Sequence, residues 1–384
     1  MTKLLVRYFI GTFFFWFSQY IYVPILPPYL KERGASLSMI GIILGSYGVS
    51  QFLLRIPLGF WSDRKKIYKP LVLMGVGCSG LSCLGFALFP SPWFSLAART
   101  LSGVAASFWV AVTVLFVSYF SEEESSKAMG QLVSCMSVAV LVCTALGGWL
   151  AEHFGDKAPF WAGAIGTFIG LLAFAGIREG RVDAKSSPLP FTEAFRRAAS
   201  PGILIISLIG AILFFNSHAT NYGFMPLLAV QLGANKTDLG LLTALNFASY
   251  ALSSLFVGTK LLKWLSERFV VIIGFLIIAI TNLTLPFVSS LSLLYLNQII
   301  NGLGRGFTYS ILMGLVFRLV SPNERTMGMA IFQSIYSLGM FVGPMVGGWV
   351  GTHWGIDSIF VMSGVLALLM IPPLWRMKIG PKVP

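Results

Sequence analysis

Twelve stretches of this sequence are each long and apolar enough to cross the hydrocarbon of a bilayer as a helix, which takes about 20 residues. They fall near 7–30, 37–61, 70–89, 92–118, 128–150, 158–177, 202–228, 238–262, 269–288, 291–317, 327–350 and 357–375. In lipid a backbone must satisfy its own hydrogen bonds, so such runs commit the chain to helices. Of the 384 residues 56% are hydrophobic and 11% charged. A soluble domain carries about a quarter charged residues, so this chain lacks the polar surface to fold in water. The expected class is an all-α integral membrane protein with twelve transmembrane helices.

The breaks between the runs set the orientation. The most basic of them, Gly59 to Lys69, carries Asp63, Arg64, Lys65 and Lys66 and belongs in water beside a membrane. It has a weaker echo at Lys263, Ser266, Glu267 and Arg268. With the N-terminus in the cytoplasm, twenty of the 27 Lys and Arg fall in cytoplasmic segments, and four (Lys31, Arg33, Lys157, Lys236) fall outside. That asymmetry places both termini in the cytoplasm of a multi-pass protein of the cytoplasmic membrane. It also accounts for the net charge of +13. The bases are scattered among loops and form no stripe, so nucleic acid is not an expected partner. The first run continues past the length of a signal-peptide core and reads as the first span. Cys78, Cys83, Cys135 and Cys143 lie inside apolar runs without metal-ligand spacing, so they read as packing residues, and no metal or cofactor is implied.

One connection is long. Residues 178–200 are polar, basic and Pro-containing, and predict a cytoplasmic linker with an amphipathic piece near Phe191–Arg197 on the membrane surface. The linker divides the chain into six-helix bundles at 1–177 and 201–384. The halves echo each other. At an offset of 199, Gly11, Phe15, Ser18, Pro27, Gly34, Ala35 and Gly41 match Gly210, Phe214, Ser217, Pro226, Gly233, Ala234 and Gly240. At an offset of 200, Gly147, Gly148, Trp149, His153 and Gly155 match Gly347, Gly348, Trp349, His353 and Gly355, and Ser121 and Glu124 match Ser321 and Glu324. Parallel halves about an axis along the membrane normal are an architecture of secondary transporters.

These residues resemble the major facilitator superfamily over essentially the whole chain, and within it the twelve-helix drug and metabolite exporters. The break at Gly59, Asp63 and Arg64 is similar to the family's G-x-x-x-D-R-x-G-R-K signature, with Lys66 where glycine is usual. Arg99 to Gly103 is similar to its R-x-x-x-G motif. Gly339, Gly343, Pro344, Gly347 and Gly348 resemble the glycine-proline signature of the family's exporters. That signature belongs to helix 5 and stands here in helix 11, while Cys143 and Thr144 occupy the helix 5 position. The resemblance implies alternating access around a cavity lined by helices 1, 4, 7 and 10. It also implies a cytoplasmic latch between the halves, with Gly59, Asp63, Arg64 and Arg55 as its parts and Glu267 and Arg268 as a weaker counterpart. A solvated topogenic loop would use the same residues.

Orientation leaves three cations unexplained: Arg55, Arg99 and Arg305. An Arg at the centre of a membrane helix costs about 2.5–3.5 kcal/mol. Arg55 is expected to snorkel to the cytoplasmic edge. Arg99 and Arg305 are expected to meet substrate, water or a polar partner, with a helix-to-helix hydrogen bond as the alternative for Arg99. Gln298, Asn301, Arg305 and Tyr309 share one helical face. Helix 7 carries Asn216, His218, Asn221 and Tyr222 within two turns. His218 is a candidate proton carrier, or a neutral packing residue. Gln19, Tyr20 and Trp109 are expected at the cavity wall, and Tyr47, Gln51, Asn246 and Tyr250 flank it one turn apart. The expected substrate-binding set is thus Gln19, Tyr20, Arg99, Trp109, Asn216, His218, Asn221, Tyr222, Asn246, Tyr250, Asn301, Arg305 and Tyr309.

All 14 acidic residues fall in loops or at helix ends under this topology. A cavity with cations and no fixed anion disfavours a pump for cationic drugs and suits anionic, zwitterionic or neutral amphiphilic cargo. The expected function is transport of a small solute by alternating access, outward, by proton coupling or exchange. The partners are that solute, protons and the bilayer, and the protein acts as a monomer. Uptake of an anionic metabolite or sugar derivative, and lipid flipping, are the alternative transport readings. A membrane enzyme or sensor is disfavoured, because buried carboxylate pairs and a large soluble appendage are both missing from the sequence.

Overall fold

The computed structural model describes residues 2–65, 67–121, 124–179, 191–320 and 325–376. The helices in order are α1 (Thr2–Tyr20), α2 (Leu26–Glu32), α3 (Leu37–Lys65), α4 (Lys69–Leu88), α5 (Pro92–Ser107), α6 (Trp109–Val117), α7 (Ser125–Phe154), α8 (Ala158–Ala175) and α9 (Phe191–Ala198). They continue as α10 (Pro201–Ala219), α11 (Met225–Gln231), α12 (Lys236–Thr259), α13 (Glu267–Thr284), α14 (Leu291–Leu319), α15 (Arg325–Trp354), α16 (Ile356–Leu369) and α17 (Ile371–Arg376). Among the described residues there is no strand. Residues 180–190 of the expected linker, and Ser321 and Glu324, lie outside the described residues.

Local chemistry explains many boundaries. Proline stands in the first turn of α2, α4, α5, α8, α10 and α11, where its missing N–H is no loss and its fixed φ suits the helix. Asn235 caps α12 by accepting from the Asp238 backbone N–H, while Asp238 accepts from the Asn235 N–H. Gly34, Gly155, Gly233 and Gly355 have φ of 79°, 86°, 87° and 85°, a conformation that only glycine adopts without strain. These are two of the matched pairs in the sequence echo. The repeat therefore marks backbone demands that recur.

Several of the twelve expected runs are not continuous helices, three of them broken well inside the run. Run 7–30 breaks at Ile21–Ile25 ahead of Pro27 and Pro28, and run 202–228 passes through a π turn at Thr220–Phe224 ahead of Pro226. A proline cannot donate the bond that would carry the helix through, and both halves break at matched places. Run 92–118 breaks at Phe108, whose Cβ lies where a side chain on Gly75 would stand. Among the described residues ten helices are long and apolar enough to cross a membrane. The two expected runs missing from that set are the first, which holds Lys3, Arg7 and Gln19, and α14, which holds Asn297, Gln298, Asn301 and Arg305.

The helix ends form two sets. At one, the terminal end, Arg7 and the Lys69 ammonium donate to Gly176 O and Ala175 O at the close of α8, each at 2.8 Å. Glu179 there accepts from the Tyr68 and Lys69 N–H groups at 2.8 and 3.1 Å. Cations at a helix C-terminus and an anion at an N-terminus both complement the helix dipole. At the far end the two halves of the chain meet. Asp156 pairs with Arg33 at 3.7 Å and also with Lys236, whose backbone N–H donates to Glu152 at 2.8 Å. Ser38 and Thr352 hydroxyls lie 2.8 Å apart.

Packing repeats this distinction. One apolar core at the far end draws on both halves, with Ile21, Leu26, Leu30, Ile40 and Ile43 beside Phe224, Met225, Leu239, Leu242 and Phe360. Toward the terminal end lie two further cores. One is built from residues 8–177, and the other lies almost wholly in residues 198–374, with Tyr47 and Ala106 added from the first half. The molecule is closed at the far end; toward the other end the apolar cores divide, and the halves stay in touch along α3 and α15.

Two seams make the closure. A Cβ on Gly41 would stand 2.2 Å from Pro344 O and 3.2 Å from Gly348 Cα, where α3 meets α15. A Cβ on Gly148 would stand 2.3 Å from Lys236 O and 2.8 Å from Gly240 Cα, where α7 meets α12. Thr144 O takes the place against Gly240 that Pro344 O takes against Gly41. The seam thus needs a close carbonyl rather than the proline itself, which is why the displaced glycine-proline motif leaves both seams intact.

Asp156→Asn removes the negative charge that Arg33 and Lys236 share. These side chains are 22–34% exposed, so such pairs contribute about 0.2–1 kcal/mol each. Only the Lys236 pair joins the two halves, so the far end is expected to open up to about fivefold more often. Maleimide labelling of a Ser38→Cys reporter measures this, and the difference should shrink in ~1 M salt, where the screening length falls to about 3 Å.

Candidate functional site

The breaks in the first and seventh runs sit at one level of the molecule, and the polar side chains of both halves collect beside them. In the first half Tyr22 donates to Ser102 Oγ at 3.1 Å and Ser102 to Gln19 Oε1 at 2.6 Å, while Gln19 Nε2 donates to Ser79 Oγ at 3.1 Å. In the second half Asn221 Nδ2 donates to Asn301 Oδ1 and Asn301 Nδ2 to Thr281 Oγ1, both at 2.8 Å. Tyr22 and Ser102 stand at the same offset from Asn221 and Asn301. One helix-to-helix contact has been kept in both halves with different side chains.

Each half also holds a buried guanidinium. Arg99 Nη1 donates to Tyr22 Oη at 3.2 Å and to Ser102 Oγ at 3.5 Å, and its carbon lies 4.2 Å from the Tyr47 ring centre. It does not use backbone carbonyls. Arg305 Nη1 donates to Asn246 Oδ1 at 2.5 Å, and the group lies 5.0–5.7 Å from the ring centres of Tyr222, Tyr250 and Phe247. Aromatic faces attract cations through their quadrupole, more so away from water. Asn246 is itself held by Gln298 O at 2.9 Å.

Aromatic rings close the gap between the halves. Tyr20 meets Tyr222 and Phe247 edge-on at 6.5 and 5.8 Å, and Tyr250 and Tyr309 lie 6.2 Å apart. His218 Nδ1 lies 3.1 Å from Phe214 O, its ring is 5.2 Å from that of Tyr222, and it lies in the field of both Arg305 and Arg99. All residues from Ile21 to Leu30 and from Asn216 to Ala229 are buried, whereas Tyr20, Phe247, Tyr250, Tyr309 and Met313 are only half-buried. Access to the cluster is therefore shut on the far-end side.

Not every expected residue joins this cluster. Asn216 turns outward, accepting from Asn282 Nδ2 at 3.0 Å and donating to Ile212 O. Trp109 packs on Trp16 at 5.0 Å and Phe15 at 6.4 Å, inside the first-half core. Arg55 does not snorkel: it is 3% exposed. α3 runs on to Lys65, so ten residues, about 15 Å of helix, separate Arg55 from the helix end. It points across to α15 instead, donating to Gln333 Oε1 at 2.8 Å and Tyr336 Oη at 2.9 Å, and also to Gln51 Oε1.

Of the expected latch, the Asp63 side chain lies outside the described residues, and Arg64 is exposed. Gly59 faces Val110 and Ala330, 3.6 and 4.0 Å from an added Cβ. Glu267 pairs with Arg318 at 2.5 Å and Arg268 donates to Trp375 O at 3.2 Å. Both therefore bind inside the second half, because α13 packs on α14 and α17. Sequence reasoning missed Gln333 and Tyr336, the Arg55 partners, and Ser102 and Thr281 in the polar rungs. The available signal was a polar pair one turn apart, Gln333 and Tyr336, in an otherwise apolar run.

The family model of the Major Facilitator Superfamily matches this chain twice, over residues 8–222 and 206–384. The multi-drug resistance efflux pump PmrA homolog of Lactococcus lactis is 25% identical over 372 residues, covering 94% of this chain and 91% of that protein. The human chromaffin granule amine transporter is 25% identical over 375 residues, covering 92% and 67%. Among solved structures, the nucleoside transporter NupG superposes with a TM-score of 0.76 at 15% identity, covering 98% of this chain and all of that one. The human organic anion transporter MFSD10 gives 0.72 at 19% identity, covering 97% and 99%.

Proposed function

This chain belongs to the Major Facilitator Superfamily, and is therefore a membrane transporter and not an enzyme; from that premise we propose secondary transport of a small solute by alternating access, directed outward. Twelve spans form two six-helix bodies, residues 1–177 and 201–384, joined by a cytoplasmic 178–200 segment. Both termini face the cytoplasm, and the terminal end of the molecule is the cytoplasmic one. The observation that carries the reading is the buried polar and aromatic cluster where the halves meet, shut off on the far-end side by two glycine seams. A solute bound there would leave outward only when the seams part, which is how one site serves two sides in turn.

Relatives named as multi-drug resistance efflux pumps favour export. The names of relatives and neighbours span drugs, amines, nucleosides and organic anions, so kinship does not choose the cargo. Uptake of an anion is the second reading, supported by Arg99 and Arg305.

Cells with and without the protein should differ at least severalfold in retention of some members of a chemically diverse panel. Lower retention with the protein present supports export; higher retention reverses the direction. Proton coupling is proposed to run through His218. In that case collapsing the proton gradient slows wild type but leaves His218→Gln at one unchanged rate. Equal gradient dependence in both proteins removes His218 from coupling.

A further inference from the structure

Three guanidinium groups are buried in the membrane-spanning part: Arg55, Arg99 and Arg305, at 3%, 5% and 7% exposure. Among the described residues no Asp or Glu is buried. Arg55 is answered by three oxygen acceptors, from Gln51, Gln333 and Tyr336. The other two are poorly answered. Arg305 has one hydrogen-bonded oxygen acceptor, Asn246, with the Tyr222 hydroxyl near it, and otherwise faces rings. Arg99 has two hydroxyls at 3.2 and 3.5 Å, the second at the limit of a hydrogen bond, and its buried Nε, like that of Arg55, has no partner. A guanidinium carries five donors in a planar fork shaped for a carboxylate.

The charges converge on shared neighbours. Tyr20 and His218 each lie in the field of both Arg99 and Arg305. Around them the surfaces are flat and apolar: Tyr20, Tyr222 and Phe247 pack against one another beside Arg305. The Tyr222 hydroxyl is buried and makes no ordinary hydrogen bond, which leaves a donor for a ligand oxygen. A cationic cargo would meet two like charges in a low dielectric with nothing fixed to offset them. An inorganic anion would leave the ring surfaces uncovered.

Resting on the transporter reading above, we propose that the cargo is an organic monoanion with a flat apolar body. Its acid group lies between Arg305 and Arg99, and its body lies against Tyr20, Tyr222 and Phe247. The cargo supplies the negative charge that the protein itself lacks at this depth.

Matched compounds with one body and different charge test this. Two sets suffice: indole-3-acetate, tryptamine and tryptophol; and octanoate, octylamine and octanol. Binding of the labelled compounds to the purified full chain in lipid nanodiscs, and their movement across proteoliposomes, are measured separately. Indole-3-acetate should bind tenfold or more tighter than tryptamine, and tighter than octanoate, which lacks the flat body. Arg305→Gln should weaken indole-3-acetate at least tenfold and the neutral alcohol less than twofold, with partial recovery in Arg305→Lys. Arg99→Gln provides a second variant should the first elute aggregated. Amines binding as well as anions, no anion binding at all, or Arg305→Gln and Arg99→Gln both binding anion like wild type would each overturn the proposal. Transport of the amines or alcohols alone would keep the transporter reading and discard the anion. Anions that bind but never cross the vesicle would do the reverse.

Discussion

Gly148→Val and Gly41→Val, each made alone, should lower transport at least tenfold while leaving the protein folded and in the membrane. The new Cβ would stand 2.3 Å from Lys236 O or 2.2 Å from Pro344 O, and in each case the next atoms are also backbone. A carbonyl held in a helix cannot rotate away, so the two helices must separate. Overpacking of this kind costs about 1–3 kcal/mol. Applied to one state of a two-state carrier, that moves the population by roughly 5- to 150-fold. The cost falls on the far-end-closed conformation, because the seam exists only there. A Ser38→Cys reporter in the Gly41→Val background should accordingly label faster from the far-end side. Gly77→Val is the control, since an added Cβ there meets nothing within 4 Å. Wild-type transport and labelling in both seam variants would show that the glycines are spacers of no consequence to the cycle.

Arg55→Ala should be the most damaging single change outside the proposed cargo site. Two terms oppose each other. Removing the cation recovers about 2.5–3.5 kcal/mol of insertion cost. Against that stand hydrogen bonds to Gln333, Tyr336 and Gln51, each of about 1.5–3 kcal/mol when one partner is charged. The bonds win, and Ala also takes this partner from the buried Gln51 and Tyr336 and the half-buried Gln333. A net loss of about 2–5 kcal/mol is expected, concentrated on the α3–α15 contact. Transport should fall ten- to a hundredfold, and Arg55→Lys should recover little, since one ammonium cannot reach three acceptors in a plane. A double-mutant cycle with Gln333→Leu checks the assignment in the thermal stability of the purified protein. A coupling of about 0.5–3 kcal/mol is expected; strictly additive losses would mean that the two side chains do not act together.

Arg55 also shows where sequence stopped. Its position in an apolar run was legible as an anomaly, because a cation at that depth needs a partner. The expectation of an easy escape to water rested on a helix end at residue 61. The helix continues to Lys65, and that one extra turn converts a surface cation into a bridge. Asn216 fails for a related reason. It shares a short polar stretch with His218 and Asn221, yet residues two apart on a helix point about 200° from each other, so Asn216 meets Asn282 while His218 meets Tyr222. Sequence spacing gives the angle between residues on an ideal helix, not the direction in which the helix presents them.

Other features passed from sequence to structure with little loss. Pro27 and Pro226 break their runs at matched places, and Gly34, Gly155, Gly233 and Gly355 take up positive φ. These follow from covalent geometry, which neighbours cannot override. The glycine-proline motif was read as a sign of export from helix 11. In the structure its carbonyl contact recurs in α7 through Thr144, so the motif serves a seam that both halves share.

Composition and periodicity determined that this chain is helical and membrane-embedded, that its halves repeat, and that three cations at depth needed an answer. Those conclusions are local: a bilayer cannot hydrate a backbone or a charge, so each run and each arginine reports its own requirement. Which arginine finds acceptors, which seams are shut and which rings enclose Arg305 depend on helix rotation, helix ends and breaks. Only packing sets these, because they arise between segments tens to hundreds of residues apart.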